Sequence, residues 1–130
     1  MPPHPTTPHA IAIELPFPAK VLWPNGRTRS HMFRHREFKK HKDWAYWAVK
    51  AILPPCFHPV LEKRVSWSAT FYPKTRNVID KDNAAASLKS FQDGIALALG
   101  INDTLFDNPT IHFAEPSKPA KVVILIGEAS

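Results

Sequence analysis

A chain of 130 residues, 44% of them hydrophobic and 22% charged, is long enough to bury a core of its own, and it lacks any run of the roughly 20 apolar residues that a membrane helix needs. Its single cysteine excludes an internal disulfide framework and a cysteine-based zinc site, which fits a reducing, cytoplasmic setting. The net charge of +6 favours a polyanionic partner and is unevenly spread, with 11 Lys and Arg against 4 acids in residues 1–64 and 6 against 7 in residues 65–130.

Residues 1–9 are rich in proline, which cannot donate to a strand ladder, and read as a flexible leader in which His4 and His9 have no task. Ala10 to Leu15 alternates as a first strand, closed by Pro16-Phe17-Pro18. Pro24-Asn25-Gly26 is a turn signal that opens a basic loop with Arg27, Arg29 and His31. Trp23 beside that loop has two readings, a ring that stacks on a base and the commoner one, a plug at the core edge.

Met32 to Leu53 has helical periodicity, with Trp44, Trp47, Ala48 and Ala51 expected to pack on the sheet. The opposite arc holds Arg36, Lys39, Lys42 and Lys50, a positive face suited either to tracking phosphates or to plain solvation. His31 and His35 have the spacing of helical metal ligands, but no third soft ligand accompanies them. Pro54 to Arg64 is a proline-broken link whose Cys56 and His58 lack an orienting group for nucleophilic chemistry. Val65 to Tyr72 alternates strictly and reads as a strand. A basic turn follows, in which Lys74 and Arg76 suit either a site that also holds a phosphate or a plain solvent-exposed turn.

Val78 to Phe106 carries the carboxylates. Asp80 and Asp82 stand two apart, so an extended backbone would send both to one side. From Asn83 the apolar residues Ala84, Leu88, Phe91, Ile95 and Leu99 mark an amphipathic helix running to Gly100. At about 100° per residue, Asp82, Lys89 and Asp93 share its non-core face. Asn102, Asp103 and Asp107 follow in a loop able to fold back toward the first pair. Acids and a lysine without His or Cys suit Mg²⁺ or Mn²⁺ better than zinc. The same residues also read as an ordinary helix cap with an i,i+4 surface pair.

Two further strands, Ile111 to Ala114 and Val122 to Gly127, flank a proline-rich link and form a candidate hairpin, and the continuous apolar run of the second suits a strand covered on both faces. The expected fold is α+β, a mixed α/β arrangement of about four strands and two main helices in the order β-α-β-α-β-β. Residues 10–130 form its single domain.

The motifs Asp80-Lys81-Asp82-Asn83, Lys89, Asp93-Gly94-Ile95 and Leu99-Gly100-Ile101-Asn102-Asp103 occur in order, preceded by Leu15-Pro16-Phe17-Pro18 and Pro24-Asn25-Gly26-Arg27 before a basic helix. Together they resemble the RusA family of Holliday junction resolvases, particularly its phage-type members, over nearly the whole chain. The resemblance implies a small homodimeric, Mg²⁺-dependent endodeoxyribonuclease, bacterial or phage-encoded, that nicks four-way DNA junctions symmetrically in recombination and repair, with no organic cofactor. It implies metal ligation by Asp80, Asp82 and Asp103 and a catalytic role for Lys89. Arg27, Arg29, Arg36, Lys39, Lys74 and Arg76 are the expected DNA contacts. Two departures stand out. Many members place the lysine four residues after the second aspartate, where Ala86 stands, and Asn102 replaces the first of two acids. The alternatives are a metal-dependent nuclease for other branched or single-stranded DNA and a non-catalytic DNA-binding module.

Overall fold

Strict alternation in β2 (Val65–Tyr72) puts Val65, Trp67, Ala69 and Phe71 on one buried face, and the other strands follow the same rule. A computed structural model describes residues 11–24, 30–53, 64–76 and 79–128. With β1 (Ile11–Pro16), β3 (Thr110–Phe113) and β4 (Lys121–Glu128), β2 forms a four-stranded sheet in the order β1-β4-β2-β3. β4 is antiparallel to both β1 and β2, whereas β3 runs parallel to β2. The helices are α1 (His31–Lys50), α2 (Lys81–Ser87) and α3 (Lys89–Leu99). The architecture is therefore a mixed α+β single domain.

The expected hairpin between the last two strands does not form. A parallel β2–β3 pair requires a long crossover, which α2 and α3 supply, and the chain then passes to the middle of the sheet to lay down β4. The apolar run of β4 is covered on one face only: Val122, Ile124 and Ile126 are buried, Val123 is half-buried, and Leu125 is 48% exposed. Its continuity reflects a central position between β1 and β2.

α1 begins at Ser30, whose hydroxyl accepts from the Met32 and Phe33 amides, and ends three residues short of the expected Leu53. Its buried seam is His41, Ala45 and Val49, with Trp44 and Ala48 half-buried, while Trp47 and Ala51 face solvent. The expected seam is thus rotated, and the helix rests chiefly on α3 rather than on the sheet. Close approach explains the rotation. A β-carbon on Gly94 would lie 2.1 Å from the Lys42 carbonyl oxygen and 3.1 Å from Ala45 Cβ, so bulky indoles on this line would hold the helices apart.

The expected single helix from Asn83 to Gly100 starts at Lys81 and is broken at Leu88. There the amide of Leu88 bonds to the Ala85 carbonyl, a tightened turn, and the Ser87 hydroxyl donates to Ala84 O at 2.6 Å. Leu88 itself is fully buried. α3 stops at Gly100, whose φ of 72° suits glycine, with Ile101 N bonded to Ala96 O and Gly100 N to Leu97 O. Phe71, Leu88, Phe91, Ile95, Val122 and Ile124 fill the space between helices and sheet.

Trp23 takes the core-edge role. It stacks on Phe17 at 5.7 Å, meets Phe71 edge-on, and donates its indole N–H to Pro18 O. Among the described residues no helix is long and apolar enough to cross a membrane.

Candidate active site

α2 begins at Asp80, an extended residue whose Oδ1 accepts from the amides of Asp82 at 2.7 Å and Asn83 at 3.2 Å. Asp82 lies inside the first helical turn. The two acids therefore straddle a helix start and do not share one side of a strand, as an extended Val78 to Asp82 would require; Val78 lies outside the described residues. Capping takes one oxygen of Asp80 because free amides at a helix start need an acceptor.

Exposure along α2 and α3 recurs at Asp82, Ala86, Lys89 and Leu97, with Asp93 half-buried between the last two. This i+4, i+3 rhythm crosses the break at Leu88, so the expected non-core face is retained. Ala86 and Lys89, the two candidate positions for a catalytic lysine, lie along it.

Lys89 is where the acids meet. Its Nζ lies 2.8 Å from Asp103 Oδ2 and 3.2 Å from Asp93 Oδ1. Asp103 arrives because the Gly100 stop reverses the chain into a 3₁₀ turn over Asp103–Leu105, capped by the Asn102 side chain on Thr104 N. Gln92 fastens that turn by donating to Asp103 O at 3.3 Å. Hydrogen bonding to Asp103 holds the Lys89 ammonium above its usual range, and the same bond holds the Asp103 carboxyl below its own. The cluster is one lysine shared by two carboxylates.

Asp107 goes elsewhere. Its carboxylate pairs with Arg64 at 2.6 Å and its carbonyl accepts from the Trp67 indole, which ties the loop to β2. Among the described residues no three Asp, Glu, His or Cys side chains form a metal-binding group. One oxygen of Asp80 is committed to a cap, and Asp103 is committed to Lys89.

Of the expected DNA contacts, Arg27 and Arg29 lie outside the described residues, as do Cys56 and His58. Arg36 is exposed and sits over the Phe33 ring at 5.8 Å. Lys39 is exposed but paired with Asp43 at 3.1 Å. Lys74 is exposed, and Arg76 pairs with Glu115 of the β3–β4 link instead of turning to Asp80.

Sequence reasoning missed Gln92, whose place between Lys89 and Asp93 was the available signal, and it missed His41. That imidazole is buried, with Nδ1 2.7 Å from Glu37 O and Nε2 accepting from Ala19 N–H at 3.1 Å. The accepting Nε2 puts the proton of the neutral ring on Nδ1. Burial holds its pKa below the ordinary value. It joins α1 to the segment after β1 and has no place in the acidic cluster.

Fold and cluster together define a small mixed α/β domain with a solvent-facing lysine–carboxylate cluster at the start of α3. No family model matches the chain. A protein of Xylella fastidiosa (strain Temecula1 / ATCC 700964), described as uncharacterized, is 36% identical over 116 residues, which cover 88% of this chain and 74% of that protein. The chain belongs to the same family as that protein.

Proposed function

We propose that this chain is a cytoplasmic, homodimeric endodeoxyribonuclease of the RusA type that hydrolyses phosphodiester bonds in branched DNA, four-way junctions above all, with Mg²⁺ or Mn²⁺. The observation that carries the reading is Lys89 held between Asp93 and Asp103 on the face that also bears Asp82. The ordered sequence motifs support it. A lysine kept charged by two carboxylates is a preorganised cation for a phosphate oxygen, and preorganised charge is the main source of stabilisation in phosphoryl chemistry. Asp80, Asp82 and Asp103 would hold the ion, which would supply polarisation of the scissile phosphate and of a water.

Homodimerisation fits the substrate, since two matched nicks across a junction call for two equivalent sites related by a twofold axis. The test is incubation of purified protein with a labelled synthetic four-way junction, with and without Mg²⁺ or Mn²⁺, beside a linear duplex of the same sequence. Metal-dependent paired nicks in the junction are expected. Equal cleavage of the linear duplex would indicate a general nuclease.

A second reading, the non-catalytic DNA-binding module, is favoured by the Asp80 cap and by the neutralisation of Asp103 by Lys89. Junction binding without any nick under either metal would establish it.

A further inference from the structure

At the start of α1 lies an open concavity of about 580 Å³, lined by His31, Met32, Arg34, His35, Arg36 and Phe38. With about 100° between successive residues, these side chains follow one another around the helix as Arg34, Phe38, His31, His35, Met32, Arg36. Three rings, His31, His35 and Phe38, thus run at i, i+4 and i+7 along the middle of the concavity. Arg34 stands at one edge, its guanidinium donating to Val21 O, Arg36 at the other, over the Phe33 ring, and Met32, 76% exposed, fills the flank. Among the described residues no carboxylate lines it. Glu37 on the same helix points away, paired with Lys40 at 3.1 Å.

Rings along the axis with cations on both sides match the chemistry of an unpaired polynucleotide strand. Such a strand offers planar bases to stack and phosphates to pair, and each base has an apolar face whatever its sequence. A duplex cannot use the rings, because its bases are already stacked on one another.

We infer that this concavity binds an unpaired stretch of DNA, with bases on the His31–His35–Phe38 strip and phosphates at Arg34 and Arg36. The choice of DNA rests on the function proposed above; the stacking geometry does not. It would grip the strand that opens at a branch, outside the Lys89 cluster.

The experiment measures fluorescence anisotropy of a labelled oligothymidylate and of a blunt duplex of equal length, in EDTA so that cleavage plays no part. The wild type is expected to prefer the single strand. His35→Ala should weaken single-strand binding by about fivefold or more, the loss of one stacked base, with duplex binding little changed. His35→Phe, a ring without charge, should restore it. Arg36→Gln should weaken both and reduce the salt slope by about one. Equal affinity for duplex, an unaltered His35→Ala variant, or His35→Phe behaving like His35→Ala would each overturn the inference, as would a strong preference for oligouridylate. Both His35 and Arg36 are exposed, so folding of these variants is checked simply by an unchanged melting temperature. A chain that shows this binding yet cuts no junction in Mg²⁺ refutes the nuclease and leaves the strand site standing. One that cuts junctions with no dependence on His35 does the reverse.

Discussion

Lys89 Nζ stands 2.8 Å from Asp103 Oδ2, fourteen positions further along the chain, and this contact joins the start of α3 to the turn beyond its end. The Asp103 carboxyl is held below its ordinary value, so its contribution to stability is present above about pH 3.8 and is lost as pH falls through the folded-state value. Lys89 is held above its ordinary value, so its contribution is present below about pH 10.5 and is lost as pH rises through the folded-state value. Between those limits the pair is constant. Lys89→Ala should accordingly change the melting temperature by the same small amount at pH 6 and pH 9, because both groups are substantially exposed. Junction cleavage should fall by about 100-fold, the usual cost of removing one charge-stabilising donor. An unaltered rate would remove Lys89 from the chemistry.

Asp80 and Asp82 are separable by mutation. Asp80→Ala removes the acceptor for two amides and should cost about 1 kcal/mol of stability in urea denaturation. Asp82→Asn leaves that cap intact and should leave stability nearly unchanged, abolish cleavage, and preserve or tighten junction binding by removing a charge that repels DNA. If Asp82→Asn unfolds the protein, its role is structural.

Gly94 is a packing residue in the middle of a motif that reads as functional. A methyl group there would meet the backbone carbonyl of Lys42, which has no flexible end to move aside. Gly94→Ala should therefore destabilise the fold by about 1–3 kcal/mol, read from the urea midpoint at constant slope, although alanine favours helix.

His41 makes stability depend on pH. With its folded-state pKa below 6.5, the unfolded chain takes up a proton first on acidification. The contribution of His41 is complete above about pH 6.5 and declines as pH drops toward the lower folded value. Neighbouring charges act less strongly than burial, Glu37 opposing the shift and Lys40 adding to it. The urea midpoint should fall between pH 8 and pH 5.5 in the wild type and fall less in His41→Leu, whose overall stability is lower because Ala19 N–H loses its acceptor.

The legible parts of this chain were those governed by short-range pattern. The β2 alternation, the Gly100 stop and the non-core face bearing Asp82, Lys89 and Asp93 follow from residue spacing alone. The α1 seam is not legible in the same way, because indoles outweigh Ala45 in any count of apolar residues, while a glycine on another helix decides the packing. The hairpin failed for a similar reason: adjacency in sequence says nothing of the gap between β1 and β2 that β4 fills. In the site, the i,i+4 pair of Lys89 with Asp93 was visible, but the approach of Asp103 depends on the angle at which the chain leaves Gly100. Helix capping by Asp80 was also visible, as the plain alternative to ligation.

The place of β4 bears on how the molecule is made. Ile11 faces Ile126 and Val65 faces Glu128 across the same strand, so β1 and β2 have no hydrogen-bonded contact with each other until β4 enters between them. During synthesis the first strand and the helices emerge long before their shared partner, and they wait with an unpaired edge on either side of the gap. Closure of the sheet depends on contacts distant in sequence, the kind that slows folding and exposes strand edges to neighbouring chains. A ribosome stalled before Lys121 would hold a chain that has its Lys89 cluster in sequence but no completed sheet on which to build it.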